Sequence, residues 1–180
     1  MPKYYPGDIV YQKDNKFTPI SIRNIQDYKL LYEDGEFVYL VDSNNTTGFV
    51  FDVNDLRSGS QDILPAMRVS LRDSGIKNYK QAFFLRIREA YSKKNITSTW
   101  YNSYVKMFGG IVSDNEHLEG GKALWKSFIK QSFTDKSRKV YLVDKDTDST
   151  LTIPIDWNDE MIWSKDESKK NLVIVYETNA

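Results

Sequence analysis

The chain has no cysteine, only one histidine and no net charge, its 25 basic residues being matched by 25 acidic ones. The missing cysteine excludes disulfides, thiolate metal sites and cysteine nucleophiles together. A chain of 180 residues has no need of such staples, because a domain of that size buries roughly two thirds of its unfolded surface. The lone His117 lies in the polar stretch SDNEHLEGG. Histidine is the usual general base near neutral pH, and Glu116 or Glu119 would be its orienting partner. No serine-nucleophile motif accompanies it, however, and the ligands that zinc requires are mostly missing. EGGKALWKS puts Gly-Gly-Lys at a helix start but lacks the spacing of a phosphate-binding loop. We therefore expect no catalytic, cofactor-binding or metal-binding residue.

Long apolar runs are also missing. None approaches the ~18 residues of a membrane span, and the opening MPKYYPGDIV has no charged-then-apolar signal pattern. The expectation is a cytoplasmic or virion-associated protein, not secreted and with no membrane partner.

What is present is a charge pattern hidden by the zero average. Residues 66–139 carry fifteen Lys/Arg and six Asp/Glu, giving +9, while residues 1–65 carry six against ten and residues 140–180 four against nine. A basic middle between acidic ends either signals a charged partner or is neutralised within one fold.

The period of the apolar residues divides the chain at the same places. DIVYQ, ISIRNI and YKLLYEDGEFVYLVD alternate as strands do, and Asp34-Gly35 marks a hairpin turn. Ser58-Gly59-Ser60 and Pro65 punctuate a linker over 57–65. From Asn78 the spacing becomes helical. Ala82, Phe83, Ile87, Ala90 and Tyr91 make one stripe, Tyr101, Tyr104, Val105 and Phe108 a second before Gly109-Gly110, and Leu124, Trp125, Phe128, Ile129 and Phe133 a third. From Lys139 the strands return as KVYLVD, TLTIPI, EMIW and NLVIVYE. Strands clustered on both sides of helices predict an α+β fold. Its parts are a β-rich segment 1–57, built as an SH3-like barrel or a curled meander, a basic three-helix segment 66–139, and a C-terminal segment 140–180 of antiparallel hairpins packing on the rest as one cooperative unit.

One phrase occurs twice. VYLVDSNNTTGFVFDVND (38–55) and VYLVDKDTDSTLTIPIDWND (140–159) share their first five residues, then a polar turn, an apolar strand and a closing Asn-Asp. Both read as equivalent hairpins, by duplication or by convergence. The second contains Asp144, Asp146 and Asp148 at the spacing of a calcium loop, but Ser149 replaces the required glycine and Ile155 the bidentate glutamate. Asp and Thr are good turn residues without any ion, so a plain hairpin is expected.

PGDIVY followed by VYLVDSNN and VNDLR resembles the opening strand, turn and closing Leu-Arg of SH3-like barrels of the Tudor type, over residues 6–57. Ser43 stands where that family's turn tyrosine would be, and Asn44 replaces its glycine. The resemblance thus implies a barrel without the aromatic cage that holds a methylated cation.

Aromatic residues are abundant, with 12 Tyr, 9 Phe and 4 Trp making 14% of the chain. Tyr and Trp favour interfaces because they join an apolar body to a polar tip. Tyr4, Tyr5, Trp157 and Trp163, near termini or turns, are the candidate protein-interface residues. The competing partner is nucleic acid. A helix-turn-helix over residues 79–110 would offer Thr99, Asn102, Ser103 and Lys106 to a groove, and Arg86, Lys93 and Lys94 to phosphates. An enzyme built on carboxylates has acids enough but no motif. The sequence favours a non-enzymatic protein that binds a protein partner or its own copies. A virion assembly component or an inhibitor of a host protein would fit, because the Lys, Asn, Asp, Ile and Tyr content suits an A+T-rich gene such as a bacteriophage carries.

Overall fold

The computed structural model describes residues 10–92, 94–114, 119–163 and 171–179. Their architecture is α+β, organised by one large mixed sheet. After β1 (Val10–Gln12), the short β2 (Ile20–Ser21) and α1 (Ile22–Gln26) lead to a meander of β3 (Lys29–Glu33), β4 (Phe37–Val41) and β5 (Thr47–Asp52). The one-turn α2 (Val53–Leu56) and β6 (Asp62–Ile63) precede the long pair β7 (Met67–Asp73) and β8 (Lys80–Arg88). Then follow α3 (Ile96–Phe108), β9 (Gly110–Val112), α4 (Glu119–Ser132), β10 (Arg138–Asp144), β11 (Ser149–Thr152), α5 (Asp159–Ile162) and β12 (Leu172–Thr178). The sheet order is β11-β10-β12-β9-β8-β7-β5-β4-β3, with β1 also pairing to β8 and a separate β2-β6 ladder.

Strands from all three sequence segments enter this sheet. Among the described residues the first segment does not close as a barrel: β5 continues into β7, and β1 pairs in parallel with β8, matching Val10 to Arg86. The meander alternative is the form adopted.

The first of the three expected helices is a strand, and a bulge explains the misreading. Ser70 pairs with Phe83 but Arg68 pairs with Arg86, so two steps on β7 span three on β8. The extra residue shifts the side-chain phase by one. Ala82, Leu85 and Ile87 therefore reach the same core, at spacings of three and two that imitate a helical stripe. The other two stripes are helices as expected. Gly109, at φ +92°, ends α3, a left-handed conformation that glycine adopts without strain.

Both helices cover one face of the sheet, α3 against β3, β4, β9 and β12, and α4 against β10. The main core lies between them and is largely aromatic. Trp100 stacks on Tyr104 at 5.0 Å, Tyr104 on Phe108 at 4.5 Å, and Phe128 meets Tyr176 at 4.9 Å. Among the described residues the opposite face is covered at its two ends. Ile25 and Ile63 pack over Leu40, Phe49 and Phe51 at one. Ile76 and Tyr79, from the turn between β7 and β8, pack over Tyr141, Val173 and Val175 at the other.

The repeated phrase forms two hairpins near opposite ends of this sheet. In each, the aspartate that closes VYLVD ties the turn. Asp42 Oδ1 accepts the Thr46 and Thr47 amides at 2.7 and 3.1 Å, and Asp144 Oδ1 accepts the Asp146 amide at 2.9 Å. Their return strands differ: β5 is interior and mostly buried, whereas β11 is an edge with all four residues exposed.

Candidate binding surfaces

Part of the charge asymmetry of the sequence is consumed inside the fold. Arg88 Nε and Nη2 donate to Asp14 at 2.9 and 3.1 Å, and its Nη1 lies 3.7 Å from Asp55. Lys94 meets Glu36 at 3.1 Å, and Lys122 and Lys126 meet Asp159 at 3.3 and 2.7 Å. Each pair joins a cation of the basic middle to an acid of one flank.

The most enclosed of these clusters centres on Glu177 of β12. Its buried carboxylate accepts from Lys77 Nζ at 2.9 Å, Tyr79 Oη at 2.7 Å and Tyr141 Oη at 3.1 Å, with Lys139 Nζ at 3.9 Å. Burial alone would raise its pKa, but these donors outweigh burial and hold it below the ordinary carboxylate value. Burial, reinforced by Glu177, pushes the Tyr79 phenol up to about 12. The approach of Tyr79 depends on Gly110, where a Cβ would lie 2.5 Å from the ring.

A second group of cations occupies the middle of that opposite face, between the two covered ends. Arg68 of β7 and Arg86 of β8 are cross-strand partners, both half-buried. The Arg86 guanidinium lies 3.7 Å from the Phe84 ring centroid, and that of Arg68 lies 5.9 Å from Phe49, whose ring stacks on Tyr28 at 5.4 Å. Arg86 Nε is shielded from solvent and has no hydrogen-bond partner among the described residues. Burial, and then the charge of Arg68, hold its pKa below the usual guanidinium value. Phe84, the inserted residue of the bulge, sits at φ +53°, an outlier for so bulky a side chain. Farther along this face Arg72 lies over Phe83 at 4.5 Å, donates to Gln81 at 3.0 Å and reaches Asp114 at 3.5 Å.

The expected nucleic-acid residues are not gathered into one surface. The helix-turn-helix pair does not form, because its first helix is β8. Arg86 points away from α3, since its strand neighbours Leu85 and Ile87 enter the core under that helix. On α3, Thr99 Oγ1 and Ser103 Oγ donate to carbonyls one turn back, and Asn102 accepts from Tyr176 Oη at 2.7 Å. Asn102 and exposed Lys106 line an open cleft of about 410 Å³ with Arg138 and Tyr176. Lys94 is taken by Glu36, and Lys93 lies outside the described residues.

Of the expected interface aromatics, Trp163 is a core residue, 8% exposed, packed with Ile153 and Ile162. Trp157 is half-buried against the same core. Tyr4 and Tyr5 lie outside the described residues, as does His117. Sequence reasoning missed Arg68, Phe84 and the Glu177 cluster. Only the break in alternation at Phe84 hinted at the first two, and partners about a hundred residues apart left no local sign of the third.

The three aspartates of the second hairpin are engaged in its turn. Asp144 holds backbone amides, Asp146 accepts from Asn171 Nδ2 at 2.7 Å, and Asp148 takes φ +57°. Thermal melts in calcium and in chelator are therefore expected to superimpose. A rise of several degrees in calcium, abolished by Asp146→Ala, would show a metal loop instead.

No family model, no curated protein and no solved structure matches this chain.

Proposed function

We propose that this protein works by binding protein rather than by catalysis, as an assembly subunit that pairs through the β11 edge of its sheet. The observation that carries this reading is the contrast between β3 and β11, the two edges that no other described strand covers. Exposed edges invite pairing with another chain unless they are bulged, charged or covered. β3 is protected: it is bulged between Leu30 and Tyr32, carries Lys29 and Glu33, and packs against α3. Among the described residues β11 has none of these devices. It pairs with β10 in unbroken register, has the uncharged sequence Ser-Thr-Leu-Thr, and exposes Leu151. Ile155, just beyond it, is 79% exposed. Strand addition at such an edge draws affinity from main-chain hydrogen bonds and specificity from alternate side chains.

Among the described residues, the clefts at β8/α3/α4, α3/β12 and β4/α2 each hold at most one carboxylate, which supports a binding role over a carboxylate enzyme. A virion component or an inhibitor of a host protein remains the setting that we propose.

Light scattering across a concentration series tests the edge. The parent is expected to exceed the 21.0 kDa monomer mass as concentration rises, and a Leu151→Lys/Ile155→Lys variant is expected to stay monomeric with an unchanged melting midpoint. A parent that remains monomeric throughout, or a variant that associates equally well, would sink self-assembly through β11.

A further inference from the structure

We propose that Arg68 and Arg86 form a recognition site for the carboxylates of an acidic polypeptide segment. This site is independent of the edge at β11, lying on the face of β7 and β8 in the interior of the sheet.

Three observations meet there. First, the fold matches the other arginines of these two strands with acids, Arg88 with Asp14 and Asp55, and Arg72 with Asp114. Arg68 and Arg86 have no ion pair among the described residues, and Arg86 Nε has no acceptor. Second, they are direct cross-strand neighbours, a position where like charges repel. Third, the bulge that places Arg86 beside Arg68 is held by the strained Phe84. Without the bulge, strict alternation from Ala82 would turn Arg86 toward the core. Backbone strain of this kind persists where the surroundings impose it and gathers at binding sites.

The arrangement is unfavourable alone and favourable around an anion. Each guanidinium lies over a phenyl ring, which limits its motion and presents its planar fork. Such a fork matches a carboxylate in two hydrogen bonds. The surroundings favour a short anionic group over a long polyanion. Asp14 and Asp55 stand at the Arg88 end, Asp114 at the Arg72 end, and Asp42 acts on Tyr28 beside Arg68. A phosphate chain extending past the two arginines would meet these carboxylates, whereas one or two acidic side chains of a partner would not.

The test couples binding to stability. Anisotropy of a labelled oligoglutamate peptide is titrated with the full chain at about 50 and 200 mM salt, beside a labelled oligothymidylate. Arg68→Gln and Arg86→Gln are each expected to weaken oligoglutamate binding about tenfold. Arg86→Lys, which keeps the charge but loses the fork, should weaken it less. Because each Gln variant relieves repulsion in the unliganded protein, its melting midpoint should hold or rise by about 2 to 4 °C. Absence of oligoglutamate binding by the parent would overturn the proposal. So would a fall in melting midpoint in the Gln variants, since the arginines would then be structural. Tighter binding of oligothymidylate through the same two arginines would replace the acidic segment by nucleic acid and equally refute it.

Discussion

Gly48→Ala is expected to lower folding stability by about 3 kcal/mol, the upper end of the usual cost of overpacking a core, and with it the melting midpoint by about 10 °C. Gly48 lies in β5 directly beneath the indole of Trp100. A Cβ there would overlap the Trp100 ring and stand 2.7 Å from Val69 Cγ1. Neither neighbour has room to yield. Trp100 is fully buried, donates its Nε1–H to the Leu40 carbonyl at 3.0 Å, and is braced edge-on by Tyr101 and face-on by Tyr104. Trp100→Phe opens a cavity and leaves that carbonyl without its donor, so it too destabilises. In combination the two changes should cost less than their sum, because the smaller ring leaves space for the methyl. Interaction energies between touching residues run from about 0.5 to 3 kcal/mol. Urea unfolding of the four proteins measures the cycle. A Gly48→Ala midpoint equal to that of the parent would mean that Trp100 does not seat on β5.

The second large effect is expected at Glu177. Glu177→Gln removes the charge on which Lys77, Tyr79 and Tyr141 converge, and hydrogen bonds to a charged group are worth about 1.5 to 3 kcal/mol each. Lys77 is more than half exposed, so water replaces part of what it loses. A net cost of about 2 kcal/mol is the expected result. The pH dependence follows from the lowered folded pKa. The stabilisation is fully present above the unfolded carboxylate value and is lost as pH falls through the folded value below it. Denaturant midpoints of the parent should therefore fall more steeply than those of Glu177→Gln as the pH is taken below about 4.3. Parallel pH profiles would show that Glu177 titrates alike in the folded and unfolded chains.

The α+β class, two of the three helices and both VYLVD hairpins were legible in the sequence because each is written in local periodicity and turn chemistry. Gly109 and the aspartates at 42 and 144 do in the fold what their residue types suggest. β8 was not legible, because a one-residue bulge converts period two into the spacing 82, 85, 87. The site residues fared worse for a related reason. Arg86 stood out only as a candidate phosphate contact on an expected helix, and its partner Arg68 comes from a strand whose register is set by the same bulge. Trp163 looked like a surface residue because it follows a turn, whereas the closure of α5 onto the main core decides its burial. No local pattern contains that information.

The position of β12 has a consequence for the order of events as the chain is made. β12 lies between β10 and β9, pairing antiparallel with both, yet it emerges after either of them. Until it arrives, the β10-β11 hairpin has no ladder joining it to the rest of the sheet. The ladder of β9 among the described residues is then two parallel pairs to the start of β8, Ile111 with Lys80 and Val112 with Gln81. Closure of that half of the molecule is thus a late, long-range event of the kind that folds slowly. A nascent chain paused before residue 172 presents two unsatisfied strand borders, and these are what a chaperone would have to shield.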